Sequence, residues 1–77
     1  NLMRTKMEEV IKIVSDYLEV DNVKPESHLV DDLGADDFDT IEVVIKVEKE
    51  LGVKIPQEVG DNIKTVQDLI DAVKGNQ

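Results

Sequence analysis

Asp31-Asp32-Leu33-Gly34-Ala35-Asp36-Asp37-Phe38-Asp39-Thr40-Ile41-Glu42 decides how this chain is read. Six of these twelve residues are acidic and none is basic. The stretch passes through a glycine turn into the most apolar segment of the protein. It therefore predicts a loop that feeds a helix N-terminus, where backbone N–H groups favour negative charge. The segment that follows, Phe38 to Leu51, contains Val43-Val44-Ile45-Lys46-Val47, a β-branched run that could pass for a strand. Its length, the acidic start at Asp36, Asp37 and Asp39, and Gly52 as a terminator decide for a helix.

On a helical wheel this segment has two apolar stripes. Val43, Val44, Val47 and Leu51 form one. Phe38, Ile41 and Ile45 form another on nearly the opposite side, flanked by Glu42 and Glu48, with Lys49 projecting through it. Such a helix is either buried on both sides or presents one face to a partner. The wheel leaves both open.

Working outward, Met3, Met7, Val10, Ile11, Val14, Tyr17 and Leu18 follow helical spacing, which predicts an amphipathic helix over 3–18 with Ile13 at its margin. Between Val20 and Ala35 the periodicity breaks. Asp21-Asn22 and Lys24-Pro25 are turn chemistry. Val20, Val23, Leu29, Val30 and Leu33 are spaced as anchors that pin a long loop to the core. His28 reads as a solvated loop residue, because no second histidine and no cysteine exists to complete a metal site. Gln57 to Asn62 predicts a turn or two of weak helix opened by Pro56 and weakened by Gly60. Thr65-Val66-Gln67-Asp68 is a capping box, and Val66, Leu69, Ile70 and Val73 supply the stripe of a last helix that ends at Lys74-Gly75. The expectation is all-α: a single domain over residues 1–77, with three principal helices, one short one and a long first loop.

At 77 residues and 40% apolar content the chain can build one core, burying about 60–65% of its unfolded surface. The longest apolar run, Val43-Val44-Ile45, is far too short to span a bilayer. No signal peptide is visible, and the default expectation is a soluble intracellular protein. Eighteen acids against nine bases give a net charge of −9. That disfavours nucleic acid and favours basic protein partners or cations.

Twelve positions separate the acids at Asp31 and Glu42 inclusively, the length of an EF-hand loop. The pattern fails: positions three and five are Leu33 and Ala35, and position six is Asp36 where glycine is needed. Only weak, delocalised divalent binding at Asp31, Asp32, Asp36 and Asp39 is expected. Asp36 and Asp37 do not read as a catalytic dyad, since neighbours on a helix point about 100° apart and both are expected to be solvated. No enzyme is expected.

Asp32-Leu33-Gly34-Ala35-Asp36, followed after one residue by a large apolar side chain and then Asp39-Thr40-Ile41-Glu42, resembles the signature of acyl carrier proteins. The first amphipathic helix, Ser27, the Leu29-Val30 anchors, Ile55-Pro56 and Thr65-Val66-Gln67-Asp68-Leu69-Ile70 extend the likeness over nearly the whole chain. The resemblance implies a monomeric four-helix bundle, cytoplasmic or organellar, that carries acyl chains for fatty-acid synthesis and related pathways. In that family the chain is a thioester on a 4'-phosphopantetheine arm esterified to a serine. The resemblance also implies that Phe38, Ile41 and Ile45 meet an apolar patch on acyl-processing enzymes. Asp36, Asp39, Glu42 and Glu48 would meet their Arg and Lys, with Lys46 and Lys49 softening the attraction.

One position departs from the family. Where the serine should follow Asp36, this chain has Asp37. A phosphodiester link needs a hydroxyl oxygen, so no arm is expected here. Ser15 and Ser27 lie in unrelated contexts, and Thr40 is almost a full helical turn further on. Two readings follow: a carrier held in an arm-free form, or a divergent adaptor or regulatory relative that binds basic partners through the same face. Phe38, where leucine is usual, and Lys49, where the family tends to be acidic, lean toward divergence.

Overall fold

The computed structural model describes residues 4–76. Among these, four helices follow one another: α1 Lys6–Leu18, α2 Asp37–Leu51, α3 Gln57–Gly60 and α4 Val66–Gly75. α1 packs on both α2 and α4, and α3 packs on α4. The molecule measures 32 × 28 × 18 Å. Among the described residues no helix is long and apolar enough to cross a membrane.

α1 starts later than its periodicity predicts. Thr5 is its N-cap: the Glu8 amide donates to Thr5 Oγ1 at 3.1 Å and the Thr5 amide to Glu8 Oε1 at 3.0 Å. This reciprocal cap stops the helix at Lys6, although apolar spacing continues upstream. Met3 lies outside the described residues. The buried face is also rotated from the predicted stripe. Ile13 is buried with Val10 and Val14, whereas Met7 is 39% exposed. α1 is packed from two sides, so its apolar arc must widen toward Ile13.

The core joins these α1 residues to Val43 and Val47 of α2 and to Val66, Leu69, Ile70 and Val73 of α4. Burial on two flanks outweighs the β-branched residues' mild reluctance to be helical. The connections contribute too: Leu29, Ala35, Val53, Ile55 and Ile63 are buried. Val30, one of the expected anchors, is instead 43% exposed, and Ala35 takes the inward place. Val23 and Leu33 pack only partly against the core.

The long first loop is stitched to the start of α4. Leu29 N donates to Lys64 O at 2.9 Å, Val66 N to Ser27 O at 3.0 Å and Gln67 N to Pro25 O at 2.7 Å. His28 and Thr65 form an isolated antiparallel bridge there. His28 is accordingly half-buried and part of the framework. Ser27 is buried too, its Oγ accepting from the Lys24 amide at 3.0 Å.

α3 is one turn of four residues, shorter than the predicted 57–62, and none of its residues is buried. Gly52 closes α2 as expected, in the left-handed region at φ 66°. A Cβ added there meets nothing within 4 Å, so its cost is confined to the backbone. Gly52→Ala should cost about 1–2 kcal/mol in a urea titration, and Gly52→Asn less.

The Thr65–Asp68 box is formed as the sequence predicts, with Asp68 N donating to Thr65 Oγ1 at 3.1 Å. Asp68 Oδ2 accepts from the amides of Lys64 at 2.9 Å and Thr65 at 3.0 Å. These bonds hold its carboxyl below the ordinary 3.8, against the opposing effect of partial burial. A depressed folded pKa adds stability above the unfolded value and loses it as pH falls through the folded one. Asp68→Asn should therefore lower the melting temperature at neutral pH, and its difference from the parent should close in acid.

Candidate functional site

The site is the entry to α2. Gly34 turns the chain at φ 78°, and Ala35 N donates to Leu29 O at 2.9 Å, folding the loop back on itself. Asp36 then caps α2. Its Oδ1 accepts from Asp39 N at 2.7 Å, and Asp39 Oδ2 accepts from Asp36 N at 3.2 Å. Thr40 Oγ1 donates to the Asp36 carbonyl at 3.1 Å. Two of the clustered acids are thus engaged in building the helix start. Asp37 follows at the first helical position and is exposed.

Phe38, Ile41 and Ile45 are 68%, 57% and 37% exposed, while Val43 and Val47 on the opposite side are fully buried. Of the two alternatives the wheel left open, α2 thus buries one apolar face and presents the other. Glu42 and Glu48 are half-buried beside that strip. Glu48 has a structural contact as well: its Oε2 accepts from Ile55 N at 2.7 Å, tying the turn after α2 to the helix. Lys46 sits off the strip, in a crevice it shares with Arg4 and Lys12, 3.8 Å from Glu50. Lys49 is exposed.

The acids also reach α1. Partial burial, followed by the charges of Glu42, Asp39 and Asp36, raises the pKa of the Tyr17 phenol. Those three carboxylates thus act toward α1.

Two hollows open beside Ile41 on the other flank. One of about 270 Å³ is lined by Thr40, Ile41, Val44, Ile45, Ile55 and Pro56, among others. The second, about 210 Å³, has Asp37 on its wall with His28, Val30, Thr40, Asp61 and Lys64. Thr40 is there by its place one helical turn after Asp37, whereas Asp61 and Lys64 carry no sequence signal for this role and are brought there by tertiary packing. Val30 belongs to this surface because it faces outward.

Asp31, Asp32, Asp36 and Asp39 do not converge. Asp32 Oδ2 accepts from the His28 amide at 2.7 Å, Asp36 and Asp39 cap each other, and Asp31 is exposed. Among the described residues no three His, Asp or Glu side chains are grouped to hold a metal ion.

The family model described as "Phosphopantetheine attachment site" matches residues 8–73. The chain belongs to that family. Its fold agrees with a solved structure from Mycobacterium tuberculosis given as a candidate acyl carrier protein: TM-score 0.87 and 28% identity, over 92% of this chain and 97% of that one. Members of the family normally carry 4'-phosphopantetheine and are carrier domains that interact with acyl-processing enzymes. The four-helix architecture expected from the sequence is the acyl carrier fold.

The cap and its neighbour have separable energetic roles. Asp36→Ala removes a side-chain acceptor and a favourable charge, and should cost about 1–2 kcal/mol in urea unfolding. Asp37→Ser loses only the favourable charge at the first turn, and should cost about 0.3–1 kcal/mol.

Proposed function

We propose that this chain is an acyl-carrier-type module that docks on enzymes of fatty-acid or related acyl biosynthesis but does not take the phosphopantetheine arm. The observation that carries this reading is a carboxylate, Asp37, at the exposed helix start where the family's attachment serine belongs, beside an intact apolar strip. A phosphodiester requires a hydroxyl oxygen, and a carboxylate does not form that stable ester. The residues therefore do not fit the arm. Thr40 supplies no substitute, because the residue is half-buried and its hydroxyl donates to the Asp36 carbonyl at 3.1 Å.

The docking role rests on the strip and its charge. Phe38, Ile41 and Ile45 supply apolar area, and Asp36, Asp39, Glu42 and Glu48 supply complementarity to Arg and Lys on a basic partner. Long-range attraction of this kind raises association rates and is screened by salt. The same charges oppose self-association, since a second copy would bring like charges face to face. The module is a monomer on this reading, and its work is recognition without catalysis.

Incubating the protein with coenzyme A and a phosphopantetheinyl transferase should leave its intact mass unchanged. Asp37→Ser should gain the mass of one arm. An arm on the parent chain would overturn the reading of Asp37. Failure of the serine variant to accept one would assign the surface to an adaptor that transferases do not recognise.

A further inference from the structure

Residues 28 to 34 form a helical turn of their own. The amides of Asp32 and Leu33 donate to the His28 carbonyl at 2.9 and 3.1 Å, and that of Gly34 donates to Val30 at 3.1 Å. His28 stands at the N-cap of this turn. Its Nδ1 accepts from the Val30 amide at 3.2 Å and from the Asp31 amide at 3.1 Å. Serine, threonine or aspartate oxygens normally serve those amides. Asp32 returns the bond, its Oδ2 accepting from His28 N at 2.7 Å. The arrangement is related to the Thr5–Glu8, Asp36–Asp39 and Thr65–Asp68 boxes, but the carboxylate that returns the bond belongs to the residue after the last capped amide. The chemistry of the cap differs: an imidazole is the side chain that ordinarily gains a proton near neutrality.

We propose that His28 is a pH-sensitive cap on the loop that leads into α2. As a neutral imidazole with its proton on Nε2, it holds the Val30 and Asp31 amides. As an imidazolium it carries hydrogen on Nδ1 as well, has no lone pair to offer, and releases both amides. Asp31 Oδ2, 3.8 Å from Nδ1, is the acceptor within reach once the ring turns.

The charged groups around the ring come from every neighbouring segment. Asp31 and Asp32 belong to the loop itself. Asp68 at the start of α4 lies close enough to feel the charge of His28. Asp37 of α2, together with Asp61 and Lys64 between α3 and α4, lines the same hollow. Val30 also lines this hollow, beside Asp37 and Ile41. Loss of the cap therefore moves an exposed apolar side chain next to the docking strip, and acid reshapes that surface. The switch stands on the loop geometry alone and does not depend on what α2 binds.

Asparagine offers the matching control. Its Oδ1 occupies the same place along the side chain as histidine Nδ1, accepts a hydrogen bond, and does not titrate. Proton–nitrogen correlation spectra of the whole chain, taken from about pH 8 to about pH 5, span the ordinary histidine range. The Val30 and Asp31 amides should shift with the same midpoint as the His28 ring, and their exchange protection should fall by about tenfold on the acid side. In His28→Asn both amides should stay protected and lose that midpoint. Two results would overturn the proposal. One is amides in the parent that ignore the ring's titration; the other is an unchanged midpoint in His28→Asn, which would assign it to a carboxylate.

Discussion

The pairing of residues 27–29 with 64–66 is the constraint on which the rest of this small fold depends. A loop of this length has many ways to lie, and each ordered residue costs roughly 1–2 kcal/mol of backbone entropy. Three backbone hydrogen bonds to the start of α4 select one of them. They hold Leu29 in the core, and the bond from Ala35 N to Leu29 O then sets where the chain emerges toward α2. The entry to α2, and with it Asp37, is placed by a contact between segments that lie far apart in sequence, such as Leu29 and Lys64.

Side-chain capping completes what that contact begins. Three helices start with reciprocal boxes, and the loop turn at His28 is capped by side chains in a related way. A helix start exposes N–H groups with no partner of their own, and carboxylates satisfy them well. Part of the acidity of this chain is therefore architectural. Asp32, Asp36, Asp39 and Asp68 are hydrogen-bond acceptors before they are a surface potential. Asp32, Asp36 and Asp39 each direct a carboxylate oxygen at a backbone amide. Asp37, outside this framework, projects its charge outward.

α2 combines two demands in one helix. Val43 and Val47 are buried, and Phe38, Ile41 and Ile45 stand on the other side, only partly covered by the described residues. Leaving such a strip in water is unfavourable by about 25 cal/mol per Å² of apolar surface. Glu42 and Glu48 along its margins keep it charged, and the proposed docking role rests on that combination. Glu48 also shows that a residue at the margin can have a place in the fold, since it anchors the turn that leads to Ile55.

Much of this was legible in the sequence because it is local. Helical periodicity, Gly52 as terminator, the Thr65–Asp68 box and the two faces of α2 all follow from residues within a few positions of one another. The order and spacing around Asp36 are enough to indicate the family, and that position 37 carries a carboxylate is visible without coordinates. The Thr5–Glu8 cap was legible too, but apolar spacing upstream masked it and carried the predicted helix start to residue 3. Tertiary structure decided the rest. Only packing from two sides makes Ile13 core and Met7 rim. Only the stitched loop turns Val30 outward, sinks Ala35 and makes His28 a cap. Only the approach of the segment between α3 and α4 brings Asp61 and Lys64 to the hollow beside Asp37. The sequence by itself determined which elements form and what chemistry they carry. Long-range contacts determined which face each element shows, because burial is a property of the neighbours and not of the residue.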